Sequence, residues 1–169
     1  AAAAILESVD AGLDLVVCVT ERVPVLDMVR VRRRLADART RLVGANSQGI
    51  LAPGIAQIGV MTTLNARRGP IGVASRSASL TSEIVAQLTR AGLGQSTTVG
   101  VGGDPVHGIG MADCVRLFLD DPETGGIVLI GEIGGGEEEQ AARVIADARP
   151  AKPVVALIAG RHAPPERRI

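Results

Sequence analysis

Short runs of continuous aliphatic residues alternate along this chain with longer segments whose apolar positions recur at helical spacing. Strands are predicted at 15–20, 41–44, 71–74, 97–101, 126–130 and 153–158, most of them short aliphatic runs without polar alternation, the pattern of strands covered on both faces. Helical periodicity spans 5–11, 25–38, 79–91, 111–120 and 137–148, with Gly12, Gly92 and Pro150 placed where helices stop. Strand and helix in this alternation predict an α/β fold, a doubly wound sheet of parallel strands joined by right-handed crossovers. Residues 45–69 break the pattern: they carry Pro53 and several glycines, have no helical period, and are expected to run between two sheets. Residues 1–44 would then close a first domain and 70–169 form a second.

Composition sharpens this picture. The 169 residues are 46% hydrophobic, yet the apolar content is almost all aliphatic, with one Phe (Phe118) and no Trp or Tyr. Aliphatic strands with many Ala and Gly suit close packing between helical layers. The shortage of aromatics argues against single-strand nucleic-acid binding, which depends on stacking platforms. Acidic and basic residues balance at 18 each, so no global field draws the chain to nucleic acid or to a membrane. Arg30, Arg32, Arg33 and Arg34 form the nearest thing to a basic cluster, and they fall on a predicted helix between Asp27 and Asp37 as a solvated face. No apolar run reaches the roughly 18 residues of a membrane span. Cys18 sits in an apolar strand-like run and Cys114 in a helical run, and both are expected to be buried, reduced thiols of a cytoplasmic protein. The chain lacks an initiator Met, starts with Ala1 to Ala4 as though a helix were already under way, and finishes in a loop, residues 164–169. It is expected to be part of something longer.

Three segments carry candidate chemistry. In Gly72-Val73-Ala74-Ser75-Arg76-Ser77-Ala78-Ser79-Leu80-Thr81 a buried strand runs into small hydroxyl residues and then a helix. Backbone N–H groups and hydroxyls at a helix start suit an anion such as phosphate, though Ser77 or Ser79 could equally be an ordinary N-cap. In Gly131-Glu132-Ile133-Gly134-Gly135-Gly136, glycines follow a strand at the end where open α/β sheets bind ligands, and Glu132 there could orient an imidazole. A tight turn explains the same glycines, with Glu137, Glu138 and Glu139 complementing the next helix's positive end. No Gly-Lys-Ser/Thr follows, so this is not a Walker A loop. Val99-Gly100-Val101-Gly102-Gly103-Asp104-Pro105 is either a third wall of that crevice or a turn. His107 and His162 lie in loops without metal-ligand spacing, so no metal site is expected in this chain.

Ser75-Arg76-Ser77, Gly94-Gln95-Ser96 and Gly102-Gly103-Asp104-Pro105 resemble the alpha subunit of succinyl-CoA synthetase. The likeness covers nearly the whole chain in order. It takes in Ile5-Leu6-Glu7, Leu26-Asp27-Met28, Asp121-Pro122-Glu123-Thr124, Ile158-Ala159-Gly160, Ala163-Pro164 and Arg167-Arg168. The resemblance implies a CoA-binding Rossmann-type domain followed by a flavodoxin-like ligase domain. It implies an acid-thiol ligase that works through a phosphohistidine and an acyl phosphate. Coenzyme A would be the cofactor, with ATP or GTP and Mg held on a partner beta subunit. The family's histidine follows the basic pair in a Gly-His-Ala-Gly stretch, so His162 is not that residue.

Carried onto this sequence, the resemblance makes Val19, Thr20, Glu21, Asn46 and Ser47 CoA-side residues. Ser77, Ala78 and Ser79 match the helix start that cradles the phosphate, and Glu132 matches the carboxylate that hydrogen-bonds the histidine. Ser82 stands where the family has a substrate-associated Tyr. Ala78 replaces a Gly, and Gly44-Ala45-Asn46-Ser47-Gln48-Gly49 replaces Gly-Pro-Asn-Cys-Pro-Gly. Three readings stay open: a succinate ligase subunit, a ligase for another acid such as malate, citrate or acetate, and a non-catalytic CoA-binding or assembly protein.

Overall fold

The computed structural model describes residues 1–160 and 162–163. The expected closing loop at 164–169, with Arg167 and Arg168, lies outside the described residues. In chain order the elements are α1 (Ala2–Asp10), β1 (Leu15–Val17), α2 (Val25–Ala36), β2 (Arg41–Val43), β3 (Gly49–Ala52) and β4 (Ala56–Gly59). They continue with β5 (Arg68–Ser75), α3 (Ala78–Arg90), β6 (Gln95–Gly100), α4 (Met111–Asp120), β7 (Gly126–Glu132), α5 (Glu137–Ala148) and β8 (Val154–Ala159). The helices at 111–120 and 137–148 have the bounds their periodicity predicts; the other predicted elements are present with shifted ends.

β1 and β2 pair in parallel as a two-stranded sheet, and the remaining strands form a 6-stranded sheet in the order β4-β3-β6-β5-β7-β8. From β6 to β8 every neighbour is parallel. Counted from β5 as first, that segment runs 2-1-3-4, the flavodoxin-like doubly wound order. The crossover from β5 to β6 runs opposite to those from β6 to β7 and from β7 to β8. Right-handed connections therefore put α3 on one face and α4 with α5 on the other. The larger core lies on the second face, where Val43, Ala74, Val99, Val101, Met111, Cys114, Val115, Phe118, Ile127, Leu129 and Ala141 pack together. A smaller core joins α1 and α2 to the two-stranded sheet through Ile5, Val9, Cys18, Met28, Val31 and Leu42.

Residues 45–69 differ from the expectation. They contain a hairpin, β3 and β4, whose first strand pairs antiparallel with β6 and so extends the larger sheet. The turn is Ala52-Pro53-Gly54-Ile55, closed by a bond from the Ile55 N–H to the Ala52 carbonyl at 2.9 Å, with Gly54 at φ 76°. Pro then Gly at the centre of a turn is a type II signal. The strands escape notice because each is only 4 residues long. Cys18 and Cys114 are buried and unpaired, as expected. No described helix is long and apolar enough to cross a membrane.

Candidate functional site

The carboxyl ends of β5 and β7 are hydrogen-bonded neighbours, with Ser75 opposite Ile130, and they mark the point where the crossovers diverge. At the end of β5 the chain turns directly into α3. The Ser75 hydroxyl accepts from the Ser77 N–H at 3.1 Å and donates to the Ser77 carbonyl at 3.0 Å. Ser77 is the N-cap, its hydroxyl accepting from the Leu80 N–H at 3.3 Å. Ala78 and Ser79 are exposed at the first two helical positions, where backbone N–H groups have no partner within the helix. Ser77 is thus an N-cap, and the exposed Ala78 and Ser79 follow it at the positive end of the helix.

Glu132 closes β7 and faces this helix start across Arg76. The Arg76 guanidinium lies 3.1 Å from the Glu132 carboxylate and 3.1 Å from that of Glu138. It also donates to the Gly134 carbonyl at 3.3 Å. The Glu138 Oε1 further accepts the Glu132 N–H at 2.9 Å. Side-chain exposure is 10% for Arg76, 14% for Glu138 and 27% for Glu132, so the arginine is enclosed while Glu132 keeps a wet edge. Arg76 Nε is buried without a hydrogen-bond partner among the described residues. Gly131 makes this arrangement possible, since a Cβ there would stand 2.5 Å from Glu138 Cγ.

The loops after β1, β2 and β6 converge beside this crevice. The Asn46 N–H donates to the Thr20 carbonyl at 2.8 Å, and the Ser47 N–H to the Cys18 carbonyl at 3.2 Å. Thr20, between exposed Val19 and Glu21, thus meets Asn46 at the carboxyl ends of the two-stranded sheet. The Asn46 side chain donates to Asp104 Oδ1 at 3.0 Å, which docks this loop on residues 102–104. Gly102 permits the approach, because a Cβ there would collide with the Ala45 carbonyl. The glycine-rich segment after β6 is therefore a docking platform as well as a turn. Ser47 is 3% exposed, and its hydroxyl is taken up by the Gly100 carbonyl and the Gly49 N–H.

Several residues take roles that periodicity does not reveal. Arg76 joins the two halves of the crevice. The acidic start of α5 does more than complement a helix dipole: Glu138 binds Arg76, and the Glu137 carboxylate accepts the Met111 N–H at 2.8 Å, capping the start of α4. Only Glu139 of the three is fully exposed. An acidic trio at a helix start looks the same in sequence whether it meets water or a neighbouring arginine. Ser82 lies a turn into α3, its hydroxyl 3.5 Å from the Ala78 carbonyl. His107 is buried, with Nδ1 3.2 Å from the Ile109 carbonyl and Nε2 3.8 Å from Glu137. His162 is exposed in the turn after β8. Arg32, expected on a solvated face, donates to the Gly108 carbonyl at 2.6 Å and so ties α2 to the loop before α4.

Residues 74–169 match the CoA-ligase family model. The chain belongs to the CoA-ligase family. It is 50% identical over 169 residues to the alpha subunit of ADP-forming succinate–CoA ligase from Staphylococcus aureus, covering 100% of this chain and 56% of that protein. It is 51% identical over 171 residues to the same subunit from Aquifex aeolicus, again covering 100% of this chain and 56% of the relative. The chain thus spans little more than half the length of these curated relatives. Among solved structures, ATP citrate lyase from Methanothrix soehngenii, in complex with citrate and coenzyme A, superposes with a TM-score of 0.87 at 24% identity. It covers 100% of this chain and 29% of that one. A dinucleotide-forming acetyl-coenzyme A synthetase from Ca. Korarchaeum cryptofilum, in complex with phosphate and ADP, gives 0.78 at 24% identity over 94% of this chain and 35% of its own. These two likenesses bear on the fold, a mixed α/β architecture around a mostly parallel sheet.

Proposed function

We propose that this chain is the larger part of an alpha-type subunit of a nucleoside-diphosphate-forming acyl-CoA synthetase, joining succinate or a related carboxylate to CoA. The observation that carries the proposal is the meeting of two unlike groups at the β5–β7 divide. A helix start with exposed Ala78 and Ser79 at its first two positions stands across Arg76 from the carboxylate of Glu132. The first suits a phosphoryl group. The second suits an imidazole N–H, because a carboxylate that accepts from a histidine fixes its orientation and tautomer. A crevice holding both is built for a phosphorylated histidine, which the family resemblance places after Arg167 and Arg168.

The parts of the chain divide accordingly. Residues 1–44 close a CoA-binding Rossmann-type domain, 45–69 connect, and 70–169 form the flavodoxin-like ligase domain, with β3 and β4 of the connection joined to the ligase sheet. Coenzyme A would lie along Val19, Thr20, Glu21 and Asn46, whose loops project from the carboxyl ends of β1 and β2. Its thiol supplies the nucleophile that displaces phosphate from an acyl phosphate. Ser47 shapes this loop from beneath, since its hydroxyl is already bonded within it. ATP or GTP with Mg would be held by a partner beta subunit, and the cytoplasm is the compartment that suits two unpaired thiols. A second reading keeps the same chemistry with another acid. Ser82 carries it, because its small hydroxyl sits against the Ala78 carbonyl and offers no aromatic ring to a substrate.

The test uses the full-length subunit with its beta partner. Incubation with ATP or GTP and Mg is expected to leave an acid-labile phosphate on the alpha chain, and addition of CoA with succinate to release it as inorganic phosphate while succinyl-CoA forms. Phosphorylation without succinate-dependent discharge would favour the second reading, and discharge by malate, citrate or acetate would name its acid. Absence of phosphate uptake from either nucleotide would overturn both readings.

A further inference from the structure

Glu132 ends a strand, and a glutamate side chain there has three torsions to restrain. One contact holds the carboxylate, one holds the backbone of the same residue, and a third ties the two together. Arg76 Nη2 holds the carboxylate Oε1 at 3.1 Å, Glu138 Oε1 holds the Glu132 N–H at 2.9 Å, and Arg76 Nη1 meets that same Glu138 oxygen at 3.1 Å. Backbone and side chain of Glu132 are thus both referenced to Glu138, one directly and one through the guanidinium. One guanidinium serves two carboxylates, so the cluster keeps one net negative charge. Glu132 Oε2 takes no hydrogen bond from a described residue and stays free to accept one.

We propose that Arg76 is a positioning residue for Glu132, and that Glu138 holds Arg76 in place to do so. The inference rests on the proposed role of Glu132 and adds to it a fixed orientation imposed from the start of α5. Arg76 is well suited because its planar fork can meet two carboxylates at set angles, where a lysine would offer a single point charge. Misplacing a reacting group by about 1 Å costs up to about a hundredfold in rate.

The experiment is a double-mutant cycle on the full-length subunit with its beta partner, read as the single-turnover rate of phosphate uptake from ATP. Glu132→Gln is expected to slow uptake. Arg76→Met is expected to slow it on the order of tenfold to a hundredfold, with the half-saturating ATP concentration unchanged. If Arg76 acts through Glu132, combining both changes slows uptake by no more than about threefold beyond the slower single variant. Glu138→Gln should give a smaller loss with the same non-additivity, and Arg76→Lys should recover only part of the rate. Glu138→Gln also completes the cycle should Arg76→Met fail to fold. Losses that multiply independently would overturn the proposal, leaving Arg76 a tie between α5 and the sheet. Uptake at the wild-type rate in Glu132→Gln would instead remove the role of Glu132 itself and the proposal with it, an outcome visible in that single variant alone.

Discussion

At the scale of single residues, burial decides chemistry more than residue type does. Cys114 and Cys18 are both isolated thiols in the sequence, one in a helical run and one in a strand-like run. Cys114 lies wholly inside the α4 side of the core, where desolvation, followed by the charges of Asp113 and Glu137, pushes its thiol from the ordinary 9.0 up to about 12. Below about pH 9 the thiol is protonated in both folded and unfolded chains, so its contribution to stability is constant. Above that, the unfolded chain releases a proton that the folded chain retains, and stability must fall from there towards about pH 12, by at most about 1.4 kcal/mol per pH unit. Cys114→Ala is therefore expected to be less stable at pH 8, from the cavity it leaves, yet to lose less stability than the parent between pH 9 and 10.5. Urea unfolding at those pH values measures both slopes. Parallel slopes would show that Cys114 does not titrate with unfolding. Glu138 teaches the complementary lesson, because nothing in Glu137-Glu138-Glu139 tells which carboxylate is enclosed.

At the scale of elements, the ends matter more than the middles. Periodicity locates α4 and α5 to the residue, but what completes α4 comes from distant sequence. Its start is capped by Glu137, and its last carbonyls are gathered by Lys152, whose Nζ donates to Phe118 at 2.9 Å, Leu119 at 2.7 Å and Asp121 at 2.7 Å. The chain's only lysine thus closes the helix that carries its only aromatic residue. Lys152→Met removes three charge-assisted donors from partly buried carbonyls and is expected to lower stability by about 1–3 kcal/mol. A chemical-denaturation midpoint should register the loss. An unchanged midpoint would mean that water satisfies those carbonyls equally well. The Phe118 ring in turn rests on Gly72 of β5, where a Cβ would come within 2.8 Å of it. That contact explains the glycine at the centre of a buried strand, a position that strand propensity alone argues against.

At the scale of the whole molecule, the sheet gives each strand a different degree of protection. β5 is covered on both sides by neighbouring strands and on both faces by helices, whereas β4 is exposed along its length and β8 leaves Val155, Leu157 and Ile158 open. Amide hydrogen exchange is expected to be slowest in β5, β6 and β7 and fastest in β4, with β8 between. Equal protection across the sheet would mean that it opens only as one unit. Continuous aliphatic runs, helical periods and the glycines that stop them were enough, by themselves, to determine the alternating α/β architecture and the strand ends at which the candidate chemistry sits. Those signals are local, because a strand buried on both faces is mostly apolar whatever its neighbour is. β6 departs from this, its buried Gln95 and Ser96 being satisfied by hydrogen bonds to Val85 and Thr124. The hairpin at 49–59 was half legible, in Pro53-Gly54, but the choice of β6 as its partner was not. Neither was the meeting of Arg76 with Glu132 and Glu138, residues separated by 56 and 62 positions of chain. Only the tertiary structure decided these, since strand order sets which loops become neighbours, and order is chosen by packing over the entire sheet.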